Sequence, residues 1–170
     1  VFGNKMAGFV EQFDRLGMPL ESMPDKVSDN VVYLARTMQA RLKAEPNMYI
    51  DSKARCHNFA LTHNRDFFKT IDIWLTPCSN HIPLDIEYFD QKAHSGKEIW
   101  ARSEKLMSYT PIENVAGNPA MSVPLYWNKQ NLPVGSHFSA ARGNDRLLFE
   151  LAYQLESAKP WANKKAPIAL

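Results

Sequence analysis

Five histidines and two cysteines are the side chains of this 170-residue chain best suited to act as nucleophile, base or metal ligand: His57, His63, His81, His94 and His137, with Cys56 and Cys78. Cys56 and His57 are adjacent in sequence. On a helix, neighbouring side chains point about 100° apart, so the thiol and the imidazole do not face each other. The pair reads as a small core thiol beside a polar-face histidine. Cys78-Ser-Asn-His81 places two potential metal ligands at loop spacing. A closed zinc site needs four, and no second pair lies close in sequence. Asp85, Glu87 and Asp90 alternate with Ile86 and Tyr88, which is the pattern of a solvated face more than of a carboxylate pair set up for acid and base work. The seven glycines fit neither a dinucleotide fingerprint nor a phosphate loop, and no G-x-S-x-G elbow is present. Ser122 and Ser139 fall inside apparent strands with no base nearby in sequence. Residue types and spacing alone thus imply no metal, no cofactor and no self-contained catalytic set.

Composition narrows the class further. Hydrophobic residues make up 45 % and charged residues 22 %, with a formal charge of +2. These are ordinary values for a globular domain with a sizeable core. No stripe of Lys or Arg marks a nucleic-acid surface, and the pair Lys164-Lys165 reads as a solvated end. No apolar run approaches the roughly 18 to 20 residues of a membrane span. Two cysteines are too few for a disulfide framework, so a reducing, cytoplasmic compartment is expected. The opening "VFGNKMAGFV" runs straight into an amphipathic pattern and reads as a piece of something longer.

The elements that must position any site follow from periodicity. Met6, Phe9, Val10, Phe13 and Leu16 form a helical stripe stopped by Gly17 and Pro19. Ser28 or Asp29 can cap a second helix with the stripe Val31, Leu34, Ala35, Met38 and Leu42, ended by Pro46. A third is expected to about Phe68, with Ile50, Ala54, His57, Leu61 and Phe68 on one face. "TIDIWLTP" then alternates as a strand stopped by Pro77. Residues 77–94 read as a long loop, a length that is often functional. Ser95 and Glu98 have capping-box spacing before a helix to about Met107, with Ile99, Leu106 and Trp100 inward. "NVAGNPAMSVPL" reads as a short strand fenced by Pro119 and Pro124. There Ala120 and Ser122 face one side and Met121 and Val123 the other. A turn, a second strand "LPVGSHFSA" and a last helix with Leu147, Leu148, Leu151, Ala152 and Leu155 inward complete the chain. The fold class is α/β, with a few mixed strands packed against about five helices. Residues 1–69 are mainly helical, and in 70–170 strands alternate with helices, all within one segment, 1–170.

Two blocks carry a resemblance. "IDIWLTP" (71–77) resembles the Asp-x-Leu-Leu-x-Pro strand of amidase-signature enzymes. Residues 110–161, "TPIENVAGNPAMSVPLYWNKQNLPVGSHFSAARGNDRLLFELAYQLESAKPW", resemble that family's C-terminal pattern. Its parts are an Asn, then Gly-x-Pro-Ala-x-Ser-x-Pro, a turn, Leu-Pro-x-Gly and a closing helix ending near Pro-Trp. The upstream helices 25–69 have matching lengths. In flavour the chain resembles the 6-aminohexanoate-cyclic-dimer hydrolase type.

The resemblance implies amide hydrolysis by a Ser-Ser-Lys triad, in which the lysine activates a bridging serine and that serine activates the nucleophile. The nucleophile forms an acyl-enzyme beside an oxyanion hole of backbone N–H groups. Both serines belong to a Gly-Gly-Ser-Ser-Gly-like stretch, which this sequence lacks, and the triad lysine lies upstream as well. The chain is therefore expected to be the C-terminal portion of an amidase with no catalytic residues of its own, shaping sheet and substrate pocket. By position, Tyr109, Thr110 and Asn114 are the substrate-pocket candidates, together with loop 77–94. Met107 stands about where glutaminase-type members carry an acid that holds a substrate amine, which implies a more apolar amide. The implied partners are the N-terminal half of the parent amidase and a small amide substrate, with no nucleic acid and no membrane. A homodimer through an exposed sheet edge is a further expectation. The alternative from another class is a stand-alone, non-catalytic binding or assembly module on the same scaffold.

Overall fold

A computed structural model describes residues 2–23 and 25–164. Pro24 in the first loop and Lys165 of the terminal lysine pair lie outside the described residues. Six α-helices and three strands follow in the order α1 (Phe2–Arg15), α2 (Asp29–Ala44), α3 (Met48–Asp66), β1 (Ile73–Pro77), α4 (Gly96–Leu106), α5 (Pro111–Ala116), β2 (Ala120–Trp127), β3 (Pro133–Ala140) and α6 (Asp145–Ala158). The α/β class stands. Within it the three strands pair antiparallel throughout, in the order β1-β3-β2. The chain divides into two compact units. One takes the residues up to Cys56 with Asp85–Lys105, and the other takes His57–Leu84 with the residues from Leu106 onward.

In the helical unit, Val10 of α1, Ala35 of α2 and Leu20 in the turn between these helices are fully buried, with Phe13, Val27 and Val32 packed around them. Burying side chains of this size contributes about 1.5–3 kcal/mol each for the larger ones. Arg36 then ties the unit together. Its guanidinium donates to Asp14 on α1 and, through two nitrogens at 2.6 and 2.7 Å, to both oxygens of Glu21. That forked geometry is one a lysine could not reproduce. The expected capping box of α4 is present: the backbone N–H of Ser95 donates to Glu98 at 2.8 Å and that of Glu98 donates to the Ser95 hydroxyl at 3.4 Å. Gly96 packs against the backbone of Asp29, where any Cβ would strike the carbonyl oxygen.

In the sheet unit, alternation along "SHFSA" separates two faces. Phe138 and Ala140 point with Val123 toward Leu148 of α6, and Ile73, Met121, Leu147 and Leu151 pack against them. Apart from Trp74, the opposite face is polar or small. Register sets Thr76 and Ser122 beside His137, and Trp74 and Ala120 beside Ser139.

Three expectations change. The apolar face read on α3 is not its buried side: Ile50 is 67 % and Leu61 54 % exposed, while Ala60 is buried and Cys56, His63 and Asn64 are half-buried. Small and polar side chains, not the apolar repeat, occupy its inner side. Pro124 does not end the strand, which continues to Trp127. The register slips between Val123 and Tyr126, so the proline sits in an irregularity of an outer strand, where a missing donor costs little. Finally, a six-residue helix, α5, precedes β2 where no element was expected. Pro111 at its first turn and Gly117 just past its end, at φ 70°, are its boundary signals.

Candidate functional site

The pocket candidates lie at and within α5. Thr110 occupies the N-cap position without a capping side-chain hydrogen bond, Tyr109 precedes it, and both are half-buried; Asn114 is exposed on the helix's outer side. The Asn114 amide nitrogen reaches back to the Thr110 carbonyl at 3.4 Å, and the Ile112 N–H donates to the Tyr109 carbonyl at 3.3 Å. The structure thus brings these three residues together on one turn of chain. A helix of six residues cannot hold itself in water, so its neighbours must fix it.

They do so in two ways. At its C-terminal end, Arg142 donates to the carbonyls of Ala116 and Gly117, and the Asn64 side chain donates to Ala116 as well. Asn64 also accepts the backbone N–H of Arg142 at 2.9 Å, closing the clamp. A cation on the terminal carbonyls of a helix is favourable. On the flank, Glu113 is 4 % exposed and accepts a hydrogen bond from the Ser139 hydroxyl at 2.9 Å; Ser139 is fully buried on β3. His63 Nε2 lies 3.8 Å from the same carboxylate oxygen. Neither that nitrogen nor the second oxygen of Glu113 finds a hydrogen-bond partner among the described residues. The His63 ring lies between Phe59 and Phe67, near-parallel to each at 5.3 and 4.9 Å, with Phe68 and Trp74 on its edges.

Serine, histidine and an acid are therefore gathered, but in the wrong order for nucleophilic catalysis. Here the serine donates to the acid, whereas an activated hydroxyl must donate to the base. The hydroxyl is also sealed from solvent. The contacts of the cluster are those of an anchor.

Along the same sheet face, His137 Nδ1 shares a hydrogen bond with the Thr76 hydroxyl at 3.0 Å. Burial pushes the His137 imidazole below the usual histidine range, and the charge of Glu113 pulls weakly the other way. Further along, the Cys78 N–H donates to Gly135. A Cβ on Gly135 would meet the Ser122 hydroxyl at 2.6 Å and Cys78 Cβ at 3.0 Å, so glycine is what lets the three strands close here. A cleft of about 290 Å³ opens between β2 and α6, lined by Pro119, Ala120, Met121, Leu148 and Phe149 among others. None of Tyr109, Thr110 or Asn114 lines it.

The other sequence candidates stay apart. Cys56 is half-buried and His57 exposed, and both thiols are free. Among the described residues no group of three or more His, Cys, Asp or Glu side chains could hold a metal ion. Asp85, Glu87 and Asp90 are exposed. Residues 77–84 belong to the sheet unit and 85–94 to the helical unit. In the latter, Arg102 donates to the Tyr88 carbonyl at 2.9 Å and lies over its ring, pinning the loop to α4. Lys164, read as a solvated end, stands over the Trp127 ring at 4.1 Å. No helix of the described residues is long and apolar enough to cross a membrane.

The family model described as Amidase matches residues 8–149, well over half of the chain. The chain belongs to the amidase family. It is 39 % identical over 101 residues to the putative amidase AmiC of Mycobacterium tuberculosis (strain ATCC 25618 / H37Rv), covering 59 % of this chain and 21 % of that protein. It is 36 % identical over 63 residues to the 6-aminohexanoate-cyclic-dimer hydrolase of Pseudomonas sp. (strain NK87), covering 37 % of this chain and 13 % of that one. A solved 6-aminohexanoate cyclic dimer hydrolase complexed with substrate superimposes with a TM-score of 0.70 at 23 % identity, over 92 % of this chain and 33 % of its own. The amidase segment thus spans about an eighth to a third of the length of these relatives. It is a partial amidase fold.

Glu113, the gathering of Ser139 and His63 about its carboxylate, and the Asn64–Arg142 clamp are what the sequence reading missed. A buried acid has no local signal, because its partners lie 26 and 50 positions away (139 − 113 and 113 − 63). Only the Pro111 and Gly117 punctuation of α5 was available to find the helix that carries it.

Proposed function

We propose that this chain is the C-terminal portion of an amide hydrolase whose Ser-Ser-Lys triad is supplied by another part of the same enzyme. In that enzyme it contributes three strands of sheet and, through Tyr109, Thr110 and Asn114, one wall of the substrate pocket. The observation that carries the reading is the unbroken α5–β2–β3–α6 arrangement. It is built from the residues 110–161 that match the family's pattern, in a chain containing no two consecutive serines. The substrate is a small amide without a free α-amine, because Met107, exposed just before the pocket residues, offers no charge to hold one. The 6-aminohexanoate-cyclic-dimer hydrolases among the relatives support a linear or cyclic aliphatic amide. The two free thiols fit a cytoplasmic enzyme. The test is the reading frame upstream of Val1, expressed whole. Amide turnover by that product, lost on replacing the serines of a Gly-Gly-Ser-Ser-Gly-like stretch, is expected. A frame without such a stretch contradicts the reading and leaves the stand-alone binding module in its place.

A further inference from the structure

We propose that Glu113 is the positioning residue of the pocket wall: its buried carboxylate sets the rotation of α5 and so the placement of Thr110 and Asn114. The pocket assignment rests on the amidase reading above; the anchoring does not. Of the six side chains of α5, only Glu113 and Ala116 are buried. Ala116 carries no directional contact through its methyl group. Backbone carbonyls at residues 116 and 117, held by Arg142 and Asn64, fix where the helix ends but not how the turn before it faces. Among the described residues, Glu113 alone ties a side chain of α5 to the sheet by a hydrogen bond, the 2.9 Å one from Ser139, and faces His63 of α3.

A carboxylate is a costly choice for that place. Burying an acid with one oxygen unbonded is unfavourable, and an apolar side chain of similar volume would pack there at no such cost. Stability therefore does not explain it. Direction does: a hydrogen bond to a rigid central strand fixes an angle, which apolar contact does not. Asn114 follows Glu113 by one residue, so any roll of the helix about this anchor moves Asn114 with it.

Two measurements test this on E113A, E113Q and S139A. The first is native-state hydrogen exchange of the 170-residue chain. The Gly117 and Asn118 amides both donate to the Glu113 carbonyl and report the last turn of α5. In E113A they should exchange about tenfold faster relative to the amides of β3. E113Q, whose amide oxygen still accepts from Ser139, should stay within about threefold of wild type. S139A, the mildest change, should accelerate the same two amides selectively. Uniform acceleration across sheet and helix, or none at Gly117, overturns the proposal. The second measurement is steady-state hydrolysis of hexanoyl-p-nitroanilide by the full-length enzyme. E113A should raise KM about tenfold with kcat within about threefold, and E113Q should restore KM. An unchanged KM at a temperature where E113A is fully folded overturns the pocket role. Absence of turnover in the wild-type enzyme would instead count against the amidase reading, with the exchange data still deciding the anchor.

Discussion

At His137 and Gly135 the polar face of the sheet makes its residue-level demands. Burial keeps the His137 imidazole reluctant to take a proton in the folded state. The unfolded chain takes one up as pH falls through about 6.5. In that window the unfolded state binds more protons, so stability rises with pH and is lost on acidification. Urea unfolding of the wild type should therefore weaken between about pH 7 and pH 5. H137F, which also forfeits the Thr76 hydrogen bond, should be less stable at neutral pH but show a shallower slope. Equal slopes would remove His137 as the source. At Gly135 the limit is space. G135A should cost about 1–3 kcal/mol, since Ser122 and Cys78 stand within 3.0 Å of the new Cβ. S122G in the same chain should recover part of that loss, which a double-mutant cycle in urea would measure.

At the scale of elements, capping and close approach decide. S95A removes one half of a reciprocal cap and should lower stability by about 1 kcal/mol, read from the urea midpoint at constant slope. G96A should cost more, because backbone rather than a flexible side chain blocks the added methyl. These local devices were legible in sequence: the Ser95–Glu98 spacing, the alternation through β1 and β3, and the leucine stripe of α6 all sit within a few residues of one another. α3 was not. Its apolar repeat through Ile50 and Leu61 is real but faces outward, while its inner side is set by what Asn64 and His63 meet 50 and more positions later. The candidate site shares that difficulty. Thr110 and Asn114 were found through a continuous motif, whereas the Glu113–Ser139 bond that holds them spans the hairpin and shows only when β3 is folded over α5.

For the whole molecule, the sheet order matters most. With β3 central, β1 and β2 each keep one side without a strand neighbour among the described residues. Phe149 and Tyr153 on α6 are 65 % and 69 % exposed. Open edges and apolar surface of this kind seek partners. The isolated chain should therefore sediment as a dimer or larger species and bind a hydrophobic dye; a monomer without dye binding would oppose this. The central claim, that these 170 residues are a working part of an amidase and not a hydrolase in themselves, has a direct test. Hexanoyl-p-nitroanilide should be assayed with the purified chain and, side by side, with the full-length product of its reading frame. The account predicts no turnover above background for the chain and saturable release of p-nitroaniline by the full-length protein. Turnover by the chain alone, retained through repeated purification, would contradict it.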